Sequence, residues 1–142
     1  MAILKTKKNI SMLIIVIVIA VIAMIVTWYF SPRTFLNGVD PLDVKSISVF
    51  DGNTGKSFVI DDSAEIKYIT ENIQDIEMKR YKVSLGYSGF SFRMSFNSNS
   101  GEEMDSFVMN SADTIRDDPF FYQCNGGLCF DYLKELEDKY IK

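Results

Sequence analysis

Two cysteines, Cys124 and Cys129, are the residues whose type and spacing come nearest to a chemical site. They flank an Asn-Gly-Gly turn between apolar arms, a pattern that predicts a β-hairpin. Facing hairpin positions bring Cβ atoms to roughly 3.5–4.5 Å, the separation that a disulfide needs. The sequence therefore predicts a structural disulfide and leaves open two free thiols or a redox-active pair. The spacing of the two cysteines differs from that of thioredoxin-like redox sites. Two thiolates alone would also provide too few ligands for a metal ion.

Other catalytic signals are missing from the chain. Histidine is absent, which removes the usual general base, the Ser-His and Cys-His pairs and the commonest zinc ligand. The sequence contains no Ser-x-x-Lys motif, no phosphate-cradling glycine loop and no Gly-x-Ser-x-Gly motif. Carboxylates are abundant, but nothing in the sequence pairs two of them across a substrate. We therefore expect no enzymatic activity and no cofactor.

The segment Asp51-Gly52-Asn53-Thr54-Gly55 shares its first positions with a calcium-binding loop. Such a loop requires an acid or amide at its fifth position and glycine at its sixth, but Gly55 and Lys56 stand there. The same residues are typical of a tight turn between two strands. A hairpin turn without a metal is the expectation.

An apolar run near the start of the chain determines where the remaining residues can act. Met12–Val26 is apolar without interruption, and Ile10–Phe30 contains only Ser11 and Thr27 as polar residues. As a helix, this stretch would be roughly 31 Å long, which matches a bilayer core. The bulky residues that follow offer no small-x-small cleavage site, so residues 10–30 are predicted to be an uncleaved transmembrane anchor.

The charges around the anchor predict its orientation. Lys5, Lys7 and Lys8 precede the apolar run, whereas Arg33 is the one basic residue that follows it closely. Because basic residues are retained on the cytoplasmic side, residues 1–9 should be a cytoplasmic tail. The part that follows the span should then lie outside the cell, as the extracellular domain of a single-pass protein of the cell membrane.

The composition of the outer part limits its partners. All 19 acidic residues follow Phe30, together with 12 of the 15 basic ones, so this part carries a net charge of about −7. Such a domain repels phosphate backbones, and nucleic acid is not expected as a partner. Two prolines and one glycine mark residues 31–41 as a linker, which leaves residues 42–142 as the domain.

The domain shows both strand and helix periodicity. Phe90, Phe92, Met94 and Phe96 alternate with polar residues and predict a strand with one buried face. Isoleucines at helical spacing predict a helix over residues 63–76, with Asp62 as its cap and Glu65 bonding back. Asp131 should cap a final helix. The fold class is therefore α+β, with an antiparallel sheet of about six strands and two helices.

The outer domain resembles a loose group of uncharacterised small envelope proteins of Gram-positive bacteria, which are membrane-anchored or exported. The likeness covers roughly residues 42–140. It is carried by Val44–Phe50, the Asp-Gly-Asn-Thr-Gly turn, the helix after Asp61-Asp62, Gly89–Phe92 and Asp131–Leu136. The resemblance implies a tethered or exported domain and assigns no chemistry.

Three functions are compatible with these features. The first is a module that binds a protein or peptide at the cell envelope, with the bilayer as the second partner of the chain. The second is an envelope thiol–disulfide protein that uses Cys124 and Cys129. The third is a purely structural or immunity-type tether.

Overall fold

The computed structural model describes residues 2–141, with side chains from residue 10 onward. Contacts divide the chain into two compact units that meet in sequence between Ser31 and Pro32. The first unit is a single helix, α1 (Ala2–Phe30). Within the described residues, its part Ile10–Phe30 is the one helical segment long and apolar enough to cross a membrane.

The second unit is an antiparallel sheet with two helices. Its seven strands are β1 (Val44–Asp51), β2 (Ser57–Ile60), β3 (Lys79–Val83), β4 (Phe92–Ser98), β5 (Glu103–Ser111), β6 (Thr114–Asp117) and β7 (Phe120–Gln123). The helices are α2 (Ser63–Gln74) and α3 (Phe130–Tyr140). The strand order is β2-β1-β4-β5-β6-β7-β3, and every neighbouring pair is antiparallel. The predicted α+β class is confirmed, with seven strands in the described part instead of about six.

One face of the sheet carries the core. The predicted alternation in β4 is confirmed at Phe92, Met94 and Phe96, which are all buried. The helices pack their apolar stripes onto the same cluster, with Ile66, Ile69 and Ile73 from α2 and Leu133 and Leu136 from α3. A two-residue period in the strands and a helical period in α2 therefore bury one common layer.

Helix α2 begins where the sequence predicts. The Asp62 carboxylate accepts hydrogen bonds from the backbone N–H groups of Ala64 (2.9 Å) and Glu65 (3.1 Å), so Asp62 is the N-cap. The Glu65 side chain instead bonds to Lys139 Nζ (2.5 Å) and to the Tyr140 hydroxyl (2.8 Å) on α3. It thereby joins the two helices, which the prediction of a reciprocal cap did not anticipate.

The predicted linker is part of the folded domain, and its assignment to residues 31–41 is corrected here. Phe35 is only 1% exposed, and its ring centroid lies 5.1 Å from that of Phe107 and 5.2 Å from that of Tyr122. The backbone is held as well, because Gln74 donates from Nε2 to the carbonyl oxygens of Leu36 and Val39, at 2.7 Å each. This Pro- and Gly-containing segment is thus part of the hydrophobic core, because aromatic residues far along the chain pack against it.

Candidate functional site

The connection between β3 and β4 runs over the face of the sheet that the helices leave open. Strand β3 lies at one edge, whereas β4 lies between β1 and β5, so the chain must cross β7, β6 and β5 to reach it. Residues 84–91, which we call the strap, make this crossing. At its start, Ser84 N–H donates to the Pro119 carbonyl oxygen (2.8 Å), and the Ser84 hydroxyl donates to the Asp118 carboxylate.

A buried arginine fixes the middle of the strap. Arg116 on β6 is 7% exposed and donates from Nη1 to the carbonyl oxygens of Tyr87 (3.0 Å) and Gly89 (3.2 Å). Its cross-strand neighbours Val108 and Phe121 are also buried, although neither belongs to the core cluster on the other face. The strap therefore covers a second, smaller apolar layer. Two of its backbone carbonyl oxygens also accept hydrogen bonds from Arg116, which offsets the cost of burying the cation.

The far end of the strap lies against β1. Phe90 was predicted to point into the core with Phe92, but it precedes the strand and packs on the open face, 5.7 Å from the ring centroid of Phe50. Gly52 N–H donates to the Ser91 carbonyl oxygen (2.7 Å). A Cβ atom at Gly52 would come within 2.5 Å of the Phe90 carbonyl oxygen, so glycine is needed for this close approach.

Between the strap and β3 lies a groove of about 360 Å³, which we call the strap groove. Its walls are aromatic, formed by Tyr81, Tyr87, Phe90 and Phe121. Its polar lining includes Asn53, Ser91, Asn110, Ser111 and Thr114. Apolar walls with a few polar groups are the usual make-up of a ligand site.

Lys82 supplies the positive charge of the groove. Its Nζ atom lies 4.8 Å from the Phe121 ring centroid and 5.0 Å from that of Tyr87. Contact with these two rings holds the ammonium group in the lining of the groove by cation–π interactions. The groove is therefore suited to a ligand that brings an anionic group next to an apolar one.

Two hydroxyl groups of the polar lining are held by a neighbouring carboxylate. The hydroxyls of Ser111 (2.6 Å) and Thr114 (2.8 Å) both donate to the Asp113 carboxylate and lower its pKa. Because their protons are engaged, these two hydroxyls offer acceptor lone pairs to a ligand. None of the groove-lining residues is a carboxylic acid, a cysteine or a histidine.

Cys124 and Cys129 are free thiols, which corrects the predicted disulfide. Cys129 begins the first turn of α3 instead of a returning hairpin strand, and its N–H donates to Asn72 Oδ1 (2.8 Å). Cys124 stands at the end of β7, where its thiol donates to the Asp113 carbonyl oxygen (3.6 Å). Helix α3 starts at Phe130 without a side-chain cap, so Asp131, predicted as its cap, lies inside the first turn.

Neither thiol is activated. Burial raises the pKa of Cys129 to about 12 and also raises the pKa of Cys124. Since the thiolate is the nucleophile in disulfide exchange, both environments disfavour the predicted thiol–disulfide alternative.

We expect the two thiols to differ strongly in reactivity. In the full chain in mild detergent, a maleimide should modify Cys124, which is partly exposed, and should reach buried Cys129 only after denaturation. Mass spectrometry of the labelled peptides would measure this. Cys124→Ser should abolish the native labelling, whereas Cys129→Ala should leave it. If the denatured chain had no titratable thiol, the predicted disulfide would be restored as the correct assignment.

The remaining candidate, the Asp51–Gly55 segment, is a turn. Burial of Asp51 opposes its ionisation, but hydrogen bonds from Asn53 and Thr54 outweigh this and lower its pKa. The Asp51 carboxylate accepts hydrogen bonds from the backbone N–H (2.8 Å) and the side-chain Nδ2 (3.0 Å) of Asn53. Across the described residues, no group of three or more His, Cys, Asp or Glu side chains is placed to hold a metal ion.

Comparisons with family models, with curated proteins and with solved structures gave no match. The strap groove itself was not predicted from the sequence. One feature of the sequence could have indicated that this region differs from the rest of the domain. Between Glu77 and Glu102 the sequence has four basic residues and no acidic one, in a domain that is otherwise acidic.

Proposed function

We propose that this protein is a single-pass, membrane-anchored module that binds an extended segment of another protein or peptide in the strap groove, outside the cell. The observation that carries the proposal is the groove, with four aromatic side chains in its walls and Lys82 in its lining. Tyr87 is 58% exposed, although Arg116 binds its backbone carbonyl group and its ring packs edge-on against Phe121 with the centroids 5.1 Å apart. Preorganised, exposed aromatic side chains are frequent anchors of protein interfaces.

The groove chemistry narrows the ligand class. Lys82 suits a carboxylate, the aromatic walls suit an apolar or aromatic side chain, and Asn110 with the two rim hydroxyls suits the peptide backbone. A short segment that combines an acidic and an apolar residue satisfies all three. Nucleic acid remains disfavoured, because the domain as a whole carries about −7.

Selection of displayed peptides on the full chain in nanodiscs tests this proposal. We expect enrichment of segments with adjacent acidic and aromatic or aliphatic residues. Tyr87→Ala should weaken their binding about tenfold or more, as loss of an interface hot spot does. Tyr68→Ala is the matched control, since Tyr68 on α2 is 50% exposed and lies outside the groove. Equal effects of both substitutions, or no enrichment, would refute the groove as the site.

The location is tested separately. The apolar segment Ile10–Phe30, with Lys5, Lys7 and Lys8 before it, supports an anchor with the domain outside. Protease added to intact protoplasts of an expressing Gram-positive host should therefore remove the domain and leave a short membrane-bound fragment. A cytoplasmic marker protein must stay intact in the same sample. Protection of the domain until the membrane is lysed would reverse the orientation.

A further inference from the structure

The free edge of the sheet is apolar as well as basic. Strand β3 is the last strand in the order, and apolar side chains remain exposed along it and in the turn that follows: Tyr81 (59%), Val83 (56%) and Leu85 (75%). Leu85 occupies a tight turn closed by the Tyr87 N–H, which donates to the Ser84 carbonyl oxygen (3.0 Å). We call residues 79–85 the β3 edge. Soluble surfaces rarely place so many large apolar side chains in one short segment unless they meet a partner.

The charge of the β3 edge is opposite to that of the domain. Lys79, Arg80 and Lys82 lie within its first four residues, and no acidic residue occurs from Lys79 to Gly101. The remainder of the domain is strongly acidic, so an anionic surface would repel most of it and attract this edge. Charge complementarity therefore selects both the anionic partner and the side of the domain that meets it.

The strand itself disfavours a β-strand partner. The pairing of β3 with β7 is interrupted between Arg80 and Lys82, where Tyr81 forms a bulge. Lysines and bulges on an edge strand are features that prevent pairing with a further strand. A partner that contacts side chains and needs no backbone register, such as a lipid surface, fits this edge better than another sheet.

The start of β3 is hydrogen-bonded to the segment that directly follows the apolar helix in sequence. Arg33 exchanges two backbone hydrogen bonds of 2.8 Å with Met78, the residue before β3. Arg33 is three residues beyond Phe30, and three residues of extended chain span at most about 11 Å. Met78, at the start of β3, is therefore paired with a residue that follows the apolar helix closely in sequence.

We propose that the β3 edge docks on the anionic lipid headgroups of the membrane that holds the apolar helix, with Leu85 and Val83 entering the interface and Lys79 and Lys82 contacting phosphates. This inference rests on the proposed anchor but not on the peptide-binding role of the groove. Because Lys82 also lines the strap groove, docking and peptide binding use the same ammonium group and exclude one another at this side chain.

Tryptophan quenching by brominated lipids tests the docking in the full chain. Trp28 is the one tryptophan of the protein, so wild type reports insertion of the apolar helix. A Trp28→Phe, Leu85→Trp variant reports the β3 edge, and Trp28→Phe, Val59→Trp is the matched control, because Val59 is 50% exposed on β2 at the opposite edge. Each is placed in nanodiscs of brominated phosphatidylcholine, with or without phosphatidylglycerol.

We expect the tryptophan at position 85 to be quenched in phosphatidylglycerol nanodiscs and the one at position 59 to remain unquenched. Lys79→Gln with Lys82→Gln, or about 1 M salt, should remove most of the quenching at position 85, because surface attraction is screened. Lys67→Gln with Lys134→Gln, on the helices, should not. Quenching of Trp28 without quenching at position 85, or equal quenching at positions 85 and 59, would overturn the docking. Absence of Trp28 quenching would overturn the anchor and the docking together.

Discussion

Phe35→Ala should lower the free energy of unfolding of the domain by about 3–5 kcal/mol, the usual cost of removing a buried aromatic ring. Phe35 is 1% exposed and contacts Phe107 and Tyr122, so truncation leaves a cavity between β5 and β7 that the surrounding rings cannot fill. Chemical denaturation of the full chain in nonionic detergent, followed by near-UV circular dichroism, measures the change.

The control for this substitution lies seven residues further along the chain. Leu42 is 81% exposed, and Leu42→Ala should change the stability by less than about 0.5 kcal/mol, as is usual for surface positions. If Phe35→Ala were equally silent, residues 32–40 would be a linker after all. A large difference between the two variants would establish that the folded domain begins directly after the apolar helix.

Arg116→Met should destabilise the domain by about 2–4 kcal/mol, because a buried cation loses its hydrogen bonds to two backbone carbonyl groups of the strap while the aliphatic volume is retained. The acceptors are the backbone oxygens of Tyr87 and Gly89. The strap should then detach locally, and peptides that bind the strap groove should lose about tenfold or more in affinity. Hydrogen exchange of residues 84–91 and peptide titration would report the two effects separately.

Arg93→Met provides the comparison for Arg116→Met. Arg93 lies on the open face of β4, with its guanidinium group 4.5 Å from the Phe90 ring centroid, but its side chain is exposed. We expect a loss of less than about 1 kcal/mol, since an exposed cation–π contact is weak. If the two variants behaved alike, the strap would be held by its aromatic contacts and not by Arg116.

Local periodicity predicted the parts of the fold that depend on neighbours in sequence. The alternation over residues 92–96 and the isoleucine spacing in α2 each encode which face is buried, and both predictions are confirmed. The segment around Cys129 shows where periodicity fails. Leu128-Cys129-Phe130 is too short an apolar run to separate a strand from the first turn of a helix. The predicted hairpin and its disulfide were therefore wrong together.

Long-range pairing explains the other two differences. Phe35 is buried by partners more than 70 positions away, which no local pattern reveals. The strap groove depends on β3 pairing with β7, since this order forces residues 84–91 across the open face and brings Asn110 and Phe121 beside Lys82. No local pattern in the sequence indicates that these two strands are adjacent.

The pairing of Phe35 with Tyr122 also sets the timing of folding. Synthesis proceeds from the N-terminus at roughly 5–20 residues per second, so roughly 5–20 s separate the completion of the apolar helix from the appearance of β7. During this interval β3 has no neighbouring strand, and Phe35 lacks its aromatic partners. One of the first core residues of the domain to be made therefore waits for a partner made near its end. The nascent chain exposes the Phe35 ring until β7 has been synthesised.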